Sequence, residues 1–261
     1  MTVLAITGGT GRIGTALRPF LRDEYQLRLL DVREPSTSLV SGEEFQQINV
    51  ATLASVEAAF EGVGAVLHLA GQPSTAATWS SVLKDNIEGT RAVFEAARRR
   101  GVAKVIFAST NHVVGFYNLE GAWPISTSVA IRPDSLYGVS KACGEALARY
   151  YADAFPMSII CLRIGWFTTR LPSMASLNPL WISTRDIAQI VRLCLRTSRR
   201  FGIYNATSNN AQGHWDLQTA REELGFAPED DVSKVATDAD SAIYVDPPAG
   251  VLADHNFPAL C

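Results

Sequence analysis

The 261-residue chain lacks the sequence features that mark metal-binding, nucleic-acid-binding, membrane and secreted proteins. It has only four cysteines, Cys143, Cys161, Cys194 and Cys261, and none has a CxxC or metal-type spacing, so we expect reduced thiols and no bound metal. The formal net charge of −3 gives no support for a nucleic-acid or membrane partner. No apolar run approaches membrane-spanning length, and the apolar residues 3–6 are too few for a signal peptide. We therefore expect a cytoplasmic protein.

The chain instead shows a regular alternation of short apolar strands and helices, with 47% hydrophobic residues. Strands that are apolar throughout and alternate with helices indicate a parallel sheet covered on both faces. The predicted fold class is α/β, with a doubly wound Rossmann-type sheet in a single domain over residues 1–261. Segments 166–182 and 208–261 are predicted to form a small C-terminal substrate lobe. The predicted strands are 2–7, 26–31, 45–49, 65–71, 104–109, 158–163 and 202–207, and the predicted helices are 15–22, 55–60, 81–100, 137–154, 184–197 and 215–224.

A glycine-rich turn follows the first predicted strand and opens the first helix. Gly8 permits the tight turn, Gly11 lets the backbone approach a pyrophosphate, and Gly14 lets helix and strand pack closely. The helix amino end then offers free N–H groups and a positive dipole to the phosphates. Asp31, at the tip of the next strand, is the predicted ligand of the adenosine ribose and favours NAD over NADP, although Arg33 adds a positive charge nearby. The alternatives are a turn that serves packing only and a solvated strand-end aspartate.

A tyrosine and a lysine lie four residues apart at the start of a predicted helix. This spacing places Tyr137 and Lys141 on one face, about one turn apart. An unperturbed tyrosine has a pKa of about 10 and needs help to act as a base near neutrality. A lysine ammonium supplies such help because it favours the phenolate. The pair is a candidate proton-transfer unit, and the alternative is an ordinary pair on a helix surface.

Four motifs in chain order resemble those of the extended short-chain dehydrogenase/reductase superfamily. They are the turn at 7–14, His-Leu-Ala-Gly at 68–71, Asn-Ile-Glu-Gly-Thr at 86–90 and Tyr-Gly-Val-Ser-Lys at 137–141. The resemblance implies an NAD-dependent oxidoreductase in which Thr110 joins Tyr137 and Lys141 as a catalytic residue, with Ser109 as the second choice. The cofactor-binding residues that it implies are Gly8, Gly11, Arg12, Ile13, Gly14, Asp31, Leu69, Ala70, Gly71, Asn86 and Lys141.

A further set of segments is similar to uronate dehydrogenases, which oxidise the anomeric carbon of hexuronic acids to lactones with NAD. This set comprises Phe-Ala-Ser-Thr-Asn-His at 107–112, Gly-Phe-Tyr at 115–117, Arg-Pro-Asp at 132–134, Arg-Ile-Gly at 163–165 and Leu-Gly-Phe at 224–226. The resemblance implies that Asn111 and His112 contact the sugar. The alternative for His112 is a packed loop histidine that bonds to the backbone. The substrate-binding residues implied are Ser74, Thr110, Asn111, His112, Tyr137 and Arg170.

One departure from that family concerns the substrate carboxylate, which the family holds with an arginine in the loop after Arg-Ile-Gly. Residues 173–176 (Ser-Met-Ala-Ser) stand near the expected point, and the nearest arginine, Arg170, lies several residues earlier. A carboxylate calls for a bidentate guanidinium. Either Arg170 reaches it by another path, or the substrate lacks the carboxylate and Arg170 is a solvated loop charge. Trp166 also stands where the family has a small serine directly after Arg-Ile-Gly. The family's serine in the loop after the fourth strand is either replaced by Pro73 or shifted to Ser74.

The predicted activity is oxidation of the anomeric hydroxyl of a hexuronate, and three alternatives stay open. The first is an NAD-dependent dehydrogenase of a neutral or phosphorylated aldose. The second is a nucleotide-sugar epimerase or dehydratase, for which 261 residues leave little room because such relatives have longer C-terminal lobes. The third is a non-catalytic NAD-binding sensor, which has no need of Thr110, Tyr137 and Lys141 together. A homo-oligomer is expected from the family alone.

Overall fold

The computed structural model describes residues 1–169 and 179–235, and it is built on one large parallel sheet. Its strands are β1 (Thr2–Thr7), β2 (Tyr25–Asp31), β3 (Glu43–Gln47), β4 (Val63–His68), β5 (Lys104–Thr110), β6 (Ser158–Ile164), β7 (Trp166–Phe167), β8 (Trp181–Ile182) and β9 (Phe201–Ala206). Seven of them form the sheet in the order β3-β2-β1-β4-β5-β6-β9, with every pairing parallel. The predicted α/β class with a Rossmann-type sheet is confirmed.

Helices cover both faces of the sheet, which explains why its strands are apolar throughout. The helices are α1 (Arg12–Leu21), α2 (Leu53–Ala59), α3 (Trp79–Ser81), α4 (Gly89–Arg99), α5 (Gly115–Leu119), α6 (Leu136–Ala154), α7 (Thr184–Arg196) and α8 (Gln218–Leu224). In β1 the side chains alternate: Leu4 and Ile6 join the core cluster under α1 and α7, and Ala5 joins the cluster under α2, α4 and α6.

The chain reverses its direction across the sheet at β1. From β1 it runs outward to β2 and β3, and it then returns to β4 on the other side of β1. In open α/β sheets, ligands bind at such a reversal, in the crevice at the carboxyl ends of the strands. Thr7 and His68 end β1 and β4 side by side, and the Thr7 hydroxyl lies 2.7 Å from His68 Nδ1. The crevice therefore opens between the two glycine-bearing loops that follow these strands.

Several elements differ from the sequence-based expectations. The long helix predicted at 81–100 contains a π-helical stretch, Val82–Glu88, between α3 and α4. The segment after β5 forms a 3₁₀ turn, Asn111–Val114, followed by α5, neither of which was predicted. The helix predicted from Trp215 begins only at Gln218, because Trp215 pairs with Ile125 in an isolated parallel bridge.

The C-terminal substrate lobe stays a prediction. Strands β7 and β8 pair with each other, separately from the main sheet, and β7 follows β6 directly in the chain. Residues 170–178 and 236–261, which complete the two predicted lobe segments, lie outside the described residues. Among residues 1–169 and 179–235, no helix is both long and apolar enough to cross a lipid bilayer.

Candidate active site

The glycine turn after β1 has the geometry of an anion site. Gly8 has a φ of +69°, and a Cβ there would lie 2.7 Å from the backbone nitrogen of Ala70. A Cβ on Gly14 would lie 2.6 Å from the carbonyl oxygen of Gly9, so α1 can pack this closely only with glycine. Gly11 caps α1 without a side-chain hydrogen bond. The first helical N–H groups, those of Arg12, Ile13 and Gly14, have no intrahelical acceptor and are available to phosphate oxygens.

Asp31 is anchored beside this turn. One carboxylate oxygen accepts the N–H groups of Val32 and Arg33, at 2.8 and 3.3 Å, and the other accepts the N–H of Thr10 at 3.2 Å. These bonds hold the half-buried carboxylate at the tip of β2, so Asp31 differs from a freely solvated strand-end charge. The Arg33 side chain is exposed, while its carbonyl oxygen accepts a bond from the Thr10 hydroxyl.

The loop after β4 forms the second wall of the crevice, with Leu69, Ala70 and Gly71 at its start. The Leu69 N–H donates to the Thr7 carbonyl at 3.0 Å, which ties this loop to β1. Gly71 has a φ of +151°, and a Cβ on it would lie 2.8 Å from Asn86 Oδ1 and 3.7 Å from Lys141 Nζ. This close approach places the loop directly against the lysine of α6.

Asn86, a predicted cofactor ligand, uses its amide inside the protein. Its Oδ1 accepts the Gln72 N–H at 2.6 Å, and its Nδ2 donates to the Gln72 carbonyl at 3.1 Å and to Ser140 Oγ at 2.7 Å. Ser140 Oγ in turn donates to the Tyr137 carbonyl. Asn86 lies in the π-helical stretch Val82–Glu88 and therefore connects that stretch and the Gly71 loop to α6. Ser74 lies further along this loop and accepts the Ala76 N–H at 3.2 Å.

Tyr137 and Lys141 occupy the first turns of α6, whose amino end is capped by the Ser135 hydroxyl, the acceptor for the Gly138 N–H at 3.1 Å. Both side chains are buried, at 9% and 4% exposure, which excludes a pair on the helix surface. Lys141 Nζ lies 4.9 Å from the ring centroid of Phe107 and 5.9 Å from that of Tyr137. Burial lowers the pKa of Lys141 to about 8.

The hydroxyls of Ser109 and Thr110 at the end of β5 have different environments. Ser109 Oγ donates to Glu145 Oε1 at 2.6 Å, and Glu145 also binds Arg163 through both carboxylate oxygens, at 2.9 and 2.8 Å. Ser109 is therefore committed to a buried charge network. Thr110 Oγ1 instead accepts the His112 N–H at 3.3 Å and donates to Asn111 Oδ1 at 3.2 Å. This arrangement favours Thr110 over Ser109.

His112 is the neighbour of Tyr137 in space, with ring centroids 5.7 Å apart in an edge-on arrangement. Its Nδ1 lies 2.9 and 3.0 Å from the two carboxylate oxygens of Asp134. The alternative in which His112 bonds to the backbone is therefore wrong for Nδ1, because the partner of this nitrogen is a side-chain carboxylate. Asp134 was not singled out from the sequence, although it stands in the Arg-Pro-Asp segment before the tyrosine.

The structure thus brings most of the predicted site residues to one edge of the sheet. Tyr137, Lys141 and Gly71 meet there, and Thr110 is linked to Tyr137 through His112. Arg170 lies outside the described residues, as do the four residues at 173–176.

Comparison with known proteins places the chain among sugar dehydrogenases. A model of the NAD dependent epimerase/dehydratase family matches residues 4–183. The NAD-dependent glucose-6-phosphate dehydrogenase of Haloferax volcanii is 37% identical, over 86% of this chain and 92% of that protein. The uronate dehydrogenase of Pseudomonas syringae pv. tomato is 35% identical, over 98% and 93%. A mutant of the uronate dehydrogenase from Agrobacterium tumefaciens, solved in complex with NAD, is 31% identical with a TM-score of 0.82, covering 89% of this chain and 86% of that one.

These matches confirm the predicted class of NAD-dependent oxidoreductase that acts on a sugar CH–OH group. They leave the sugar open, because the matched proteins are named for different substrates. The family match spans the glycine turn, the loop after β4 and the Tyr137–Lys141 helix. The chain belongs to the NAD dependent epimerase/dehydratase family.

Proposed function

We propose that this protein oxidises the anomeric hydroxyl of a hexuronate, such as glucuronate or galacturonate, to a lactone, with NAD as the hydride acceptor. The observation that carries the proposal is the position of Lys141. Its buried ammonium lies within 5.9 Å of the Tyr137 ring and against Gly71, at the crevice where the chain reverses across the sheet. Burying a charge is costly, so a buried lysine beside a phenol does not stabilise the fold. Its position at this crevice supports a role in proton transfer during sugar oxidation.

The residues around the crevice fit a dinucleotide. The uncapped amino end of α1 would hold the pyrophosphate through the N–H groups of Arg12 and Ile13, and Asp31 would bind the adenosine ribose. Lys141 would bind the nicotinamide ribose beside the Gly71 loop. Bound NAD would supply the hydride acceptor.

The protein's own groups would move and hold the proton. Tyr137, as phenolate, would take the proton of the anomeric hydroxyl while that carbon loses its hydride. The Lys141 ammonium would stabilise the phenolate by opposite charge, since both side chains are buried. Thr110 would hold the reacting oxygen by a hydrogen bond. Such positioned acid–base groups contribute about 10²–10⁴-fold in rate, and alignment of the reactants contributes much of the remainder.

The sugar would lie against Asn111, His112 and Ser74, on the side of Tyr137 that His112 borders. Its carboxylate needs a guanidinium, and Arg163 is not available because it is buried and bound to Glu145 through both oxygens. We therefore assign the carboxylate to Arg170. A phosphorylated aldose would also need a cation here, and the 37% identity to a glucose-6-phosphate dehydrogenase makes that sugar the second candidate.

The experiment is NADH formation by the purified protein with glucuronate, galacturonate, glucose, galactose and glucose 6-phosphate. We expect the two uronates to give the highest kcat/KM, and Arg170→Ala to lower it mainly by raising KM. Arg149→Ala is the matched control, because that arginine is exposed on α6 and bonds to Asp153. A preference for uncharged sugars, unaffected by Arg170→Ala, would contradict the uronate assignment. Sugar conversion without net NADH would instead identify an epimerase or dehydratase, and NAD binding without any sugar conversion would identify a sensor.

A further inference from the structure

A buried carboxylate holds the histidine that borders Tyr137. The Asp134 side chain is only 2% exposed, and both of its oxygens lie within 3.0 Å of His112 Nδ1. The two residues are also joined through the backbone, since the Asp134 N–H donates to the His112 carbonyl at 3.3 Å. The Ser135 hydroxyl donates to Asp134 Oδ1 at 3.1 Å and fixes the carboxylate from a third side.

The packing around His112 and Asp134 leaves no room for a side chain at positions 115 and 138. A Cβ on Gly115 would lie 1.8 Å from Asp134 Oδ2, so the carboxylate occupies the space that a side chain at position 115 would need. A Cβ on Gly138 would lie 2.3 Å from the His112 carbonyl oxygen, so α6 approaches the histidine backbone only because position 138 is glycine. Two glycines thus permit one His–Asp contact next to Tyr137, which indicates a built arrangement rather than a surface ion pair.

We propose that Asp134 is a positioning residue that keeps the proton of the neutral imidazole on Nδ1 of His112. The proposal rests on the proposed function, in which the sugar lies beside His112. An imidazole whose Nδ1–H donates to a carboxylate has an unprotonated Nε2, which can only accept a hydrogen bond. His112 therefore recognises a hydroxyl of the sugar, which donates, and leaves the carboxylate of a uronate to another group. Asp134 acts on the substrate through His112 and does not touch it.

The tautomer of the His112 imidazole can be measured in the unaltered protein. The chain has four histidines, and ¹⁵N-labelled His112 can be assigned by comparison with His112→Ala. At mildly alkaline pH we expect the ¹⁵N shifts of a protonated Nδ1 and an unprotonated Nε2. The opposite tautomer in the folded protein would overturn the proposal. This readout needs no activity, so it still decides the tautomer if no sugar is oxidised and the proposed function fails.

The effect on the substrate is tested by Asp134→Asn, which keeps the shape and removes the charge. The amide can donate to Nδ1 and so move the proton to Nε2, which turns an acceptor for the sugar into a donor. We expect kcat/KM for the preferred sugar to fall about tenfold to a hundredfold, mostly through KM, with NAD affinity unchanged. Glu120→Gln is the control, because that carboxylate is exposed and pairs with Arg132.

A double-mutant cycle separates positioning from general stability. If Asp134 acts through the imidazole, Asp134→Asn has no further effect on kcat/KM in the His112→Ala background. The same loss in both backgrounds would mean that Asp134 supports the loop and not the ring, and it would overturn the proposal. Should Asp134→Asn fail to fold, the ring spectrum of the unaltered protein still decides.

Discussion

The buried Lys141 gives a prediction that runs against the usual effect of removing an active-site contact. Its ammonium has no carboxylate within ion-pair distance among residues 1–169 and 179–235, and it contacts the rings of Phe107 and Tyr137 instead. The protein keeps this charge at a cost in stability. Replacement by methionine, which is similar in length and uncharged, should therefore stabilise the fold while abolishing turnover.

The magnitude follows from the pKa of Lys141, which burial lowers from 10.5 to about 8. That change corresponds to about 3 kcal/mol of unfavourable free energy for the charged form. Loss of the cation–π contact with Phe107 offsets about 1 kcal/mol of the gain. At neutral pH we expect Lys141→Met to unfold with a free energy about 1–3 kcal/mol larger than that of the unaltered protein.

The sign of the pH dependence is fixed by the same change. Between pH 8 and 10.5 the unfolded lysine still binds its proton while the folded lysine has lost it, so the stability of the unaltered protein rises with pH across this window. The stability advantage of Lys141→Met should be complete below about pH 8 and should vanish above the ordinary lysine pKa of 10.5. Urea unfolding of both proteins across this range measures it.

Lys84→Met is the matched control, because Lys84 is exposed on the π-helical stretch and its replacement changes the net charge equally. The reasoning is refuted if Lys141→Met is less stable than the unaltered protein at neutral pH, or if the difference between the two does not change between pH 8 and 10.5. Either result would mean that the lysine pays no desolvation cost in the folded protein.

Three further predictions concern other buried groups and the cofactor. Burial lowers the pKa of His68 to about 3, so below the ordinary pKa of 6.5 the unfolded chain binds a proton that the folded chain does not bind. The free energy of unfolding should therefore fall by about 1.4 kcal/mol for each unit of decreasing pH. His68→Gln should remove this slope in urea unfolding between pH 4 and 7, and an unchanged slope would contradict the assignment of the slope to His68. Glu145→Gln leaves the guanidinium of Arg163 buried without its partner and should cost about 3–5 kcal/mol in chemical denaturation, so a loss under about 1 kcal/mol would contradict a buried pair. Asp31→Ser should weaken NAD binding and raise the relative affinity for NADP, beside the exposed Arg33, by about tenfold, and an unchanged ratio of dissociation constants would disprove the role of Asp31.

Local patterns predicted the parts of the site that depend on short spacing. The turn from Gly8 to Gly14 requires particular backbone conformations, and the four-residue separation of Tyr137 and Lys141 fixes a common helix face whatever surrounds it. The alternation of side-chain direction along β5 could also have distinguished Ser109 from Thr110 as the candidate catalytic hydroxyl. Ser109 continues the row of Val105 and Phe107, which faces α6 and its Glu145.

Contacts between distant segments could not be predicted from the sequence. Asn86 was expected to touch the cofactor, and only the fold reveals that its amide binds Gln72 and Ser140, which lies 54 residues away. No pattern in the sequence marks the π-helical stretch in which Asn86 lies. The His112–Asp134 contact spans 22 residues through α5 and the loop that follows, and it depends on space left by Gly115. Such packing is decided by the tertiary structure.

The most direct test of the proton-transfer assignment is turnover of Tyr137→Phe with the preferred sugar, measured as NADH formation alongside a titration of NAD binding. The phenyl ring keeps the shape of the site and removes only the group that takes the proton. NAD affinity should be retained, and kcat should fall by about 10²–10⁴-fold. Turnover near that of the unaltered protein would show that another group removes the proton, and the function assigned to Tyr137, Lys141 and Thr110 would be wrong.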